Sequence, residues 1–213
     1  MSTLIKICGL TDRAAIDAAI AAGASHIGLV HFDKSPRHVT LAEAAELADY
    51  AGDHVEVVLL LVNMEAEPTL RAIEQIRPDV VQFHGTETPE WLNFLAQHTP
   101  VEIWKAFGVR DADGLTRARK YEGAAHRILY DAPAQALPGG TGTRFDWSLL
   151  AQHRHGMEWG LAGGLSPDNI EDALHATAAP LVDVSSGVES APGVKDVAKI
   201  AAFCEAVRRY DSR

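Results

Sequence analysis

The sequence predicts an α/β fold, a single compact (βα)8 barrel, from three observations. Short apolar runs alternate from end to end with amphipathic stretches. Most of those runs are nearly continuous, as expected of parallel strands covered on both faces. No dinucleotide-type glycine fingerprint follows the first strand candidate, where Gly9 stands alone. Strict βα alternation leaves a doubly wound open sheet or a closed barrel, and eight units favour the barrel. The 213 residues give each unit about 27, a small barrel against the roughly 250 residues typical of the class.

The elements follow in order. Leu4–Cys8 is the first strand, and Thr11 and Asp12 precede a helix that stops at Gly23, a natural C-terminal glycine. His26–Val30 is the second strand. Thr40, with Glu43 three residues on, makes a capping-box start for LAEAAELADYAG. Val55–Val62 and Asp79–Phe83 are the third and fourth strands, and Thr86, or Thr88 ahead of Pro89, begins EWLNFLAQ. Val101–Phe107 is the fifth strand, with a weakly marked helix around Asp111–Lys120, and Arg127–Asp131 is the sixth. Met157–Gly163 is the seventh, after which Ser166-Pro167 reads as a cap and first-turn proline opening DNIEDALHA. Pro180–Ser186 is the eighth, and a helix from about Lys195 to Arg209 closes the chain. There is no linker, low-complexity tract or sequence repeat, so residues 1–213 are expected to form one domain.

Composition narrows the class. Hydrophobic residues make up 47%, enough for a sizeable core, which rules out intrinsic disorder. No apolar run approaches the roughly 18 residues a membrane span needs, and the charged, Cys-containing start does not read as a signal peptide. Lys and Arg total 19 against 29 Asp and Glu, a net charge of -10, with no basic stripe for nucleic acid. Cys8 and Cys204 form no metal-ligand or redox spacing, and two isolated thiols suggest the reducing cytosol. The expectation is a soluble cytoplasmic protein, a monomer or homodimer.

Barrel chemistry sits where strands end and loops follow. Alternation along the first strand puts Lys6 and Cys8 inside and Ile5 and Ile7 toward the helices. An ammonium beside the thiol would favour the thiolate. The strand alone favours a buried cysteine packed as a small hydrophobe, and the position at the strand's catalytic end brings the two readings level. Asp131 ends RILYD, where burial would raise its pKa and let it donate a proton near neutral pH. A turn-capping aspartate before Ala132-Pro133 fits the local sequence as well. Arg37, in SPRHV, is either a two-point carboxylate ligand or a solvated loop residue. Gly163-Gly164 and Ser185-Ser186-Gly187 follow the seventh and eighth strands, where backbone amides of such barrels often hold a phosphate. His84, after the fourth strand, either orients a substrate group or is simply exposed. The long glycine-rich loop Leu137–Trp147 reads as a lid and lacks the Lys-Ser/Thr ending of a nucleotide loop. The remaining histidines have no ligand spacing, and His153 with His155 reads as a polar helix end rather than a metal site.

Six motifs run in order along essentially the whole chain: KICGLT (Lys6–Thr11), KSPRHV (Lys34–Val39), VQFHG (Val81–Gly85), GGTGTRFDW (Gly139–Trp147), AGGLSPDN (Ala162–Asn169) and VDVSSGVES (Val182–Ser190). Together they resemble the phosphoribosylanthranilate isomerase family, an α/β class of TIM barrels in tryptophan biosynthesis. The resemblance implies an Amadori rearrangement of N-(5-phosphoribosyl)anthranilate, with Cys8 matching the general base and Asp131 the general acid. Arg37 matches the residue that holds the anthranilate carboxylate. Gly163, Gly164, Ser186 and Gly187 match the phosphate loops, Asp183 a further pocket residue, and His84 the position after strand four. No metal or organic cofactor is implied, because the iminium formed on ring opening is itself the electron sink. One departure is His31-Phe32-Asp33, where the family often has aromatic or apolar residues.

Overall fold

The computed structural model describes residues 2–132 and 146–213. Parallel strands β1 (Leu4–Cys8), β2 (His26–His31), β3 (Glu56–Leu61), β4 (Val80–Phe83), β5 (Glu102–Gly108), β6 (Arg127–Asp131), β7 (Glu158–Leu161) and β8 (Leu181–Val184) close into a barrel in chain order, β8 pairing back onto β1. Helices α1 (Arg13–Ala21), α2 (Leu41–Ala51), α3 (Ala66–Ile76), α4 (Pro89–Ala96), α5 (Ala112–Ala118), α6 (Ser148–Ala151), α7 (Ile170–Thr177) and α8 (Val197–Asp211) alternate with them. The expected βα barrel is the fold. Among the described residues, no helix is long and apolar enough to cross a membrane.

Local chemistry accounts for most helix starts. Asp12 accepts from the Ala15 amide and caps α1. Thr40 and Glu43 form the reciprocal capping box of α2, with Glu43 Oε2 2.7 Å from the Thr40 amide nitrogen. Of the two threonines considered for α4, Thr88 is the cap, and Pro89 takes the first helical position. The predicted start of α7 needs correction: the helix begins at Ile170, not beside Ser166. The Asn169 side chain folds back, accepting from the Ser166 amide at 2.9 Å and donating to the Gly164 carbonyl at 2.8 Å. A turn therefore separates the two glycines from the helix. The closing helix also starts later than expected, because Glu189–Ala191 (β9) and Val194–Lys195 (β10) form a small antiparallel hairpin before it. The lid expectation for Leu137–Trp147 falls largely on residues 137–145, outside the described residues.

The strands bury both faces. Outward residues such as Ile5, Ile7, Ile27, Leu29, Val81 and Phe83 join the helices in one large core. Inward residues divide by height. Val58, Val80, Trp104, Ala106, Leu129 and Leu181, with Leu4 against them, plug the interior. Two residues further along the same strands, the inward positions become Lys6, Leu60, Gln82, Asp131 and Asp183, with Cys8 two beyond Lys6. The sequence-predicted alternation of β1 is as observed.

Candidate active site

A cavity of about 480 Å³ opens at the C-terminal ends of the strands. It is lined by Cys8, Arg37, His84, Asp131, Gly163, Gly164, Asp183 and Ser186, so eight of the nine sequence-predicted site residues meet in one place. Cys8 and Asp131, far apart in the chain, share its wall.

Cys8 stands on the cavity floor, packed with Val30 and Leu60. Its register partner on β2 is Gly28, where a Cβ would lie within 2.8 Å of the thiol sulfur, so glycine makes the room the side chain occupies. Lys6, fully buried one inward position below, donates to Asp183 Oδ2 at 2.9 Å. Burial opposes the Lys6 charge, but Asp183 and Cys8 outweigh it and raise the ammonium pKa. For Cys8 the outcome is the reverse of the sequence expectation. Burial lifts the thiol pKa above its ordinary value, Lys6 pulls it down, and the Asp183 carboxylate pushes it up again. The ammonium read from sequence is there, but Asp183 neutralises it. Asp183 Oδ1 is buried and has no hydrogen-bond partner among the described residues; the same holds for Oε1 of Gln82 on the cavity wall.

Asp131 is half-buried at the cavity mouth rather than enclosed, so the burial expected for it is only partial. His84 Nε2 lies 3.3 Å from Asp131 Oδ2, which gives the exposed histidine a place beside the carboxyl. Gly163 adopts φ 81°, open to glycine at little cost, and a Cβ there would collide with the Ala132 backbone. Gly164 and Ser186 are exposed toward the opening. Gly187 does not line the cavity: it packs so closely against the Leu165 carbonyl that a side chain is excluded, and it thereby seats the loop after β8 on the loop after β7.

Arg37 lines the cavity, with one edge of its guanidinium already engaged. Nε donates to Glu189 Oε1 at 2.6 Å and Nη2 to Glu189 Oε2 at 2.8 Å. Glu189 also accepts from Lys195 at 2.8 Å, and Lys195 donates to the Ser185 carbonyl at 3.0 Å. Burial alone would raise the Glu189 carboxyl, but the hydrogen bonds from Arg37 and Lys195 hold it below the usual range. Sequence reading missed Glu189, Lys195 and Gln82. The hairpin that carries Glu189 and Lys195 left no period-two signal, and Gln82 sat inside a strand read only as apolar. In the departing segment His31-Phe32-Asp33, Phe32 faces the cavity. His31 bonds the Val39 carbonyl and Asp33 meets His38, bracing the loop that holds Arg37.

Elsewhere, His153 and His155 directly follow the end of α6, as expected, but do not stand free in solvent. They pack on Tyr130 and Trp159, with the His155 ring stacked 4.0 Å above Trp159. Among the described residues, no group of three or more His, Cys, Asp or Glu is arranged to hold a metal ion.

Residues 5–206 match the family model for N-(5'-phosphoribosyl)anthranilate (PRA) isomerase. The N-(5'-phosphoribosyl)anthranilate isomerase of Erythrobacter litoralis is 59% identical over 206 residues, which are 97% of this chain and 99% of that protein. The crystal structure of phosphoribosyl anthranilate isomerase from Thermotoga maritima superposes with a TM-score of 0.90 at 32% identity, covering 97% of this chain and 99% of that one. A phosphoribosyl anthranilate isomerase in complex with reduced 1-(o-carboxyphenylamino)-1-deoxyribulose 5-phosphate superposes with a TM-score of 0.84 at 30% identity, over 97% and 99% of the two chains.

Proposed function

The chain belongs to the N-(5'-phosphoribosyl)anthranilate isomerase family, whose reaction in tryptophan biosynthesis it catalyses, and from that premise we propose how its own residues carry the chemistry. Cys8 is the general base and Asp131 the general acid. Asp131 protonates the furanose ring oxygen, and the C1–O bond breaks as the anthranilate nitrogen lone pair forms an iminium. Cys8 then removes the C2 proton, and those electrons move into the iminium to give an enolamine, which tautomerises to the 1-deoxyribulose 5-phosphate. Each transfer by a positioned group accounts for about 10² to 10⁴ in rate.

The observation that carries this reading is the presence of the thiol and the carboxyl on the wall of one cavity of about 480 Å³, a size suited to a small organic ligand. Cys8 takes the C2 proton as the thiolate: burial opposes that form, the Lys6 ammonium favours it, and the iminium's positive charge, present after the acid step, favours it further. Asp183 Oδ1, buried and unpartnered among the described residues, accepts from a sugar hydroxyl. Gly163, Gly164 and Ser186 take the phosphate. Gly187 supports them from behind, and His84 orients Asp131. The phosphorylated substrate is soluble, consistent with a cytoplasmic enzyme working as monomer or homodimer.

The test is the fall of phosphoribosylanthranilate fluorescence with Cys8→Ala and Asp131→Asn. Both variants are expected to bind the reduced product analogue with near wild-type affinity and to lose turnover by about 10² or more. Undiminished turnover in either removes that residue from its role. The same assay in EDTA is expected to run at an unchanged rate.

A further inference from the structure

We propose that Glu189 is a positioning residue for substrate recognition: it clamps one edge of the Arg37 guanidinium so that the other edge is presented to the carboxylate of the aromatic ring. The proposal rests on the Arg37 assignment made above and deepens it.

A guanidinium carries five N–H donors in a rigid plane, which form two separate two-point edges. Glu189 occupies the side edge, taking Nε at 2.6 Å and Nη2 at 2.8 Å. The end edge, one N–H of Nη1 and one of Nη2, has no partner among the described residues and forms a second fork. A carboxylate from the substrate therefore need not displace Glu189. The clamp is itself fixed from several sides. Lys195 Nζ donates to Glu189 Oε1 at 2.8 Å, the Gly193 amide reaches Oε2 at 3.3 Å, and Lys199 Nζ holds the Glu189 carbonyl at 2.7 Å. The Glu189 side chain is only 5% exposed, and that of Lys195 1%. One carboxylate thus couples the loop after β2, which carries Arg37, to the loop after β8 through Lys195 and the Ser185 carbonyl. A free arginine loses rotamer freedom when a ligand arrives; one already held loses little.

Calorimetry with two probes tests this: reduced 1-(o-carboxyphenylamino)-1-deoxyribulose 5-phosphate and the same compound without the carboxyl group. Wild-type protein is expected to prefer the carboxylated probe. Glu189→Gln is expected to lose about tenfold of that preference, with affinity for the carboxyl-free probe held within about twofold. Arg37→Ala should abolish the preference, and adding Glu189→Gln to it should change nothing further. In turnover, KM is expected to rise more than kcat falls. If Glu189→Gln does not fold, Glu189→Asp, which withdraws the carboxylate by one methylene, is read in the same way. A variant that keeps the full preference, or that weakens both probes equally, overturns the role of Glu189. A wild type that binds both probes alike overturns the Arg37 assignment itself.

Discussion

The lower and upper halves of the barrel interior are built by the same strands, yet they share almost no chemistry. On β8 the inward position changes from Leu181 to Asp183, on β6 from Leu129 to Asp131, on β4 from Val80 to Gln82, and on β1 from Leu4 to Lys6 and Cys8. Each change takes two residues, the side-chain period of a strand, and Cys8 lies one further period beyond Lys6. Below it, Val58, Val80, Trp104, Leu129 and Leu181 are 0% exposed and wholly apolar. Above it lie a buried ion pair, a carboxylate oxygen with no hydrogen-bond partner among the described residues, and a thiol. The plug is what lets those groups exist in a cavity rather than in a water-filled channel: it seals the lower end, so charges above it interact through protein rather than bulk solvent. Stability is concentrated in one half and reactivity in the other.

Substitutions in the upper half are expected to separate these properties most sharply. Asp131→Asn and Cys8→Ser should lower kcat by about 10² to 10⁴, while the urea midpoint stays near that of the wild type. A large loss of stability in either would mean that the mouth also holds the barrel together. Asp183→Asn crosses the divide. It leaves the fully buried Lys6 ammonium without its carboxylate, so a loss of about 3–5 kcal/mol in unfolding free energy is expected together with reduced turnover. Leu181→Ala, one inward step below, should cost about 2–5 kcal/mol through the void it leaves, with kcat per folded molecule unchanged.

The same division explains what sequence could and could not reveal. Elements were legible where the signal is local. The apolar runs of β1 and β6 matched residue for residue, and the Thr40–Glu43 capping box and the Thr88-Pro89 start lie within four residues. Strand-end position then placed Cys8 and Asp131 in one cavity. What failed depended on distant partners. The sign of the Cys8 shift turns first on burial in the closed barrel and then on Lys6 and Asp183, which meet across 177 positions. The Arg37 edge is taken by Glu189 across 152 positions, from a hairpin too short to show a period. The start of α7 moved because Asn169 turned its side chain back, a choice its sequence neighbourhood shares with many loops.

The smallest effect expected belongs to the lower rim and can be checked by pH alone. His26 is 4% exposed, set against Trp104 with ring centroids 5.0 Å apart and its Nε2 2.9 Å from Glu56. Burial, then Lys6, then Arg127 lower its pKa to about 4, and burial raises that of Glu56. A histidine that ionises less readily when folded makes the folded state bind fewer protons than the unfolded one. Its contribution is therefore fully present above pH 6.5 and is lost as pH falls toward 4. A lowering of that size corresponds to at most about 3 kcal/mol, less whatever Glu56 returns on protonation. Urea unfolding followed between pH 7 and pH 4 should show this loss in the wild type, superposed on that of the carboxylates, and a shallower slope in His26→Gln. Equal slopes would mean that the lower rim is wet enough to charge the imidazole in place, and that the apolar seal begins higher in the barrel, at Trp104.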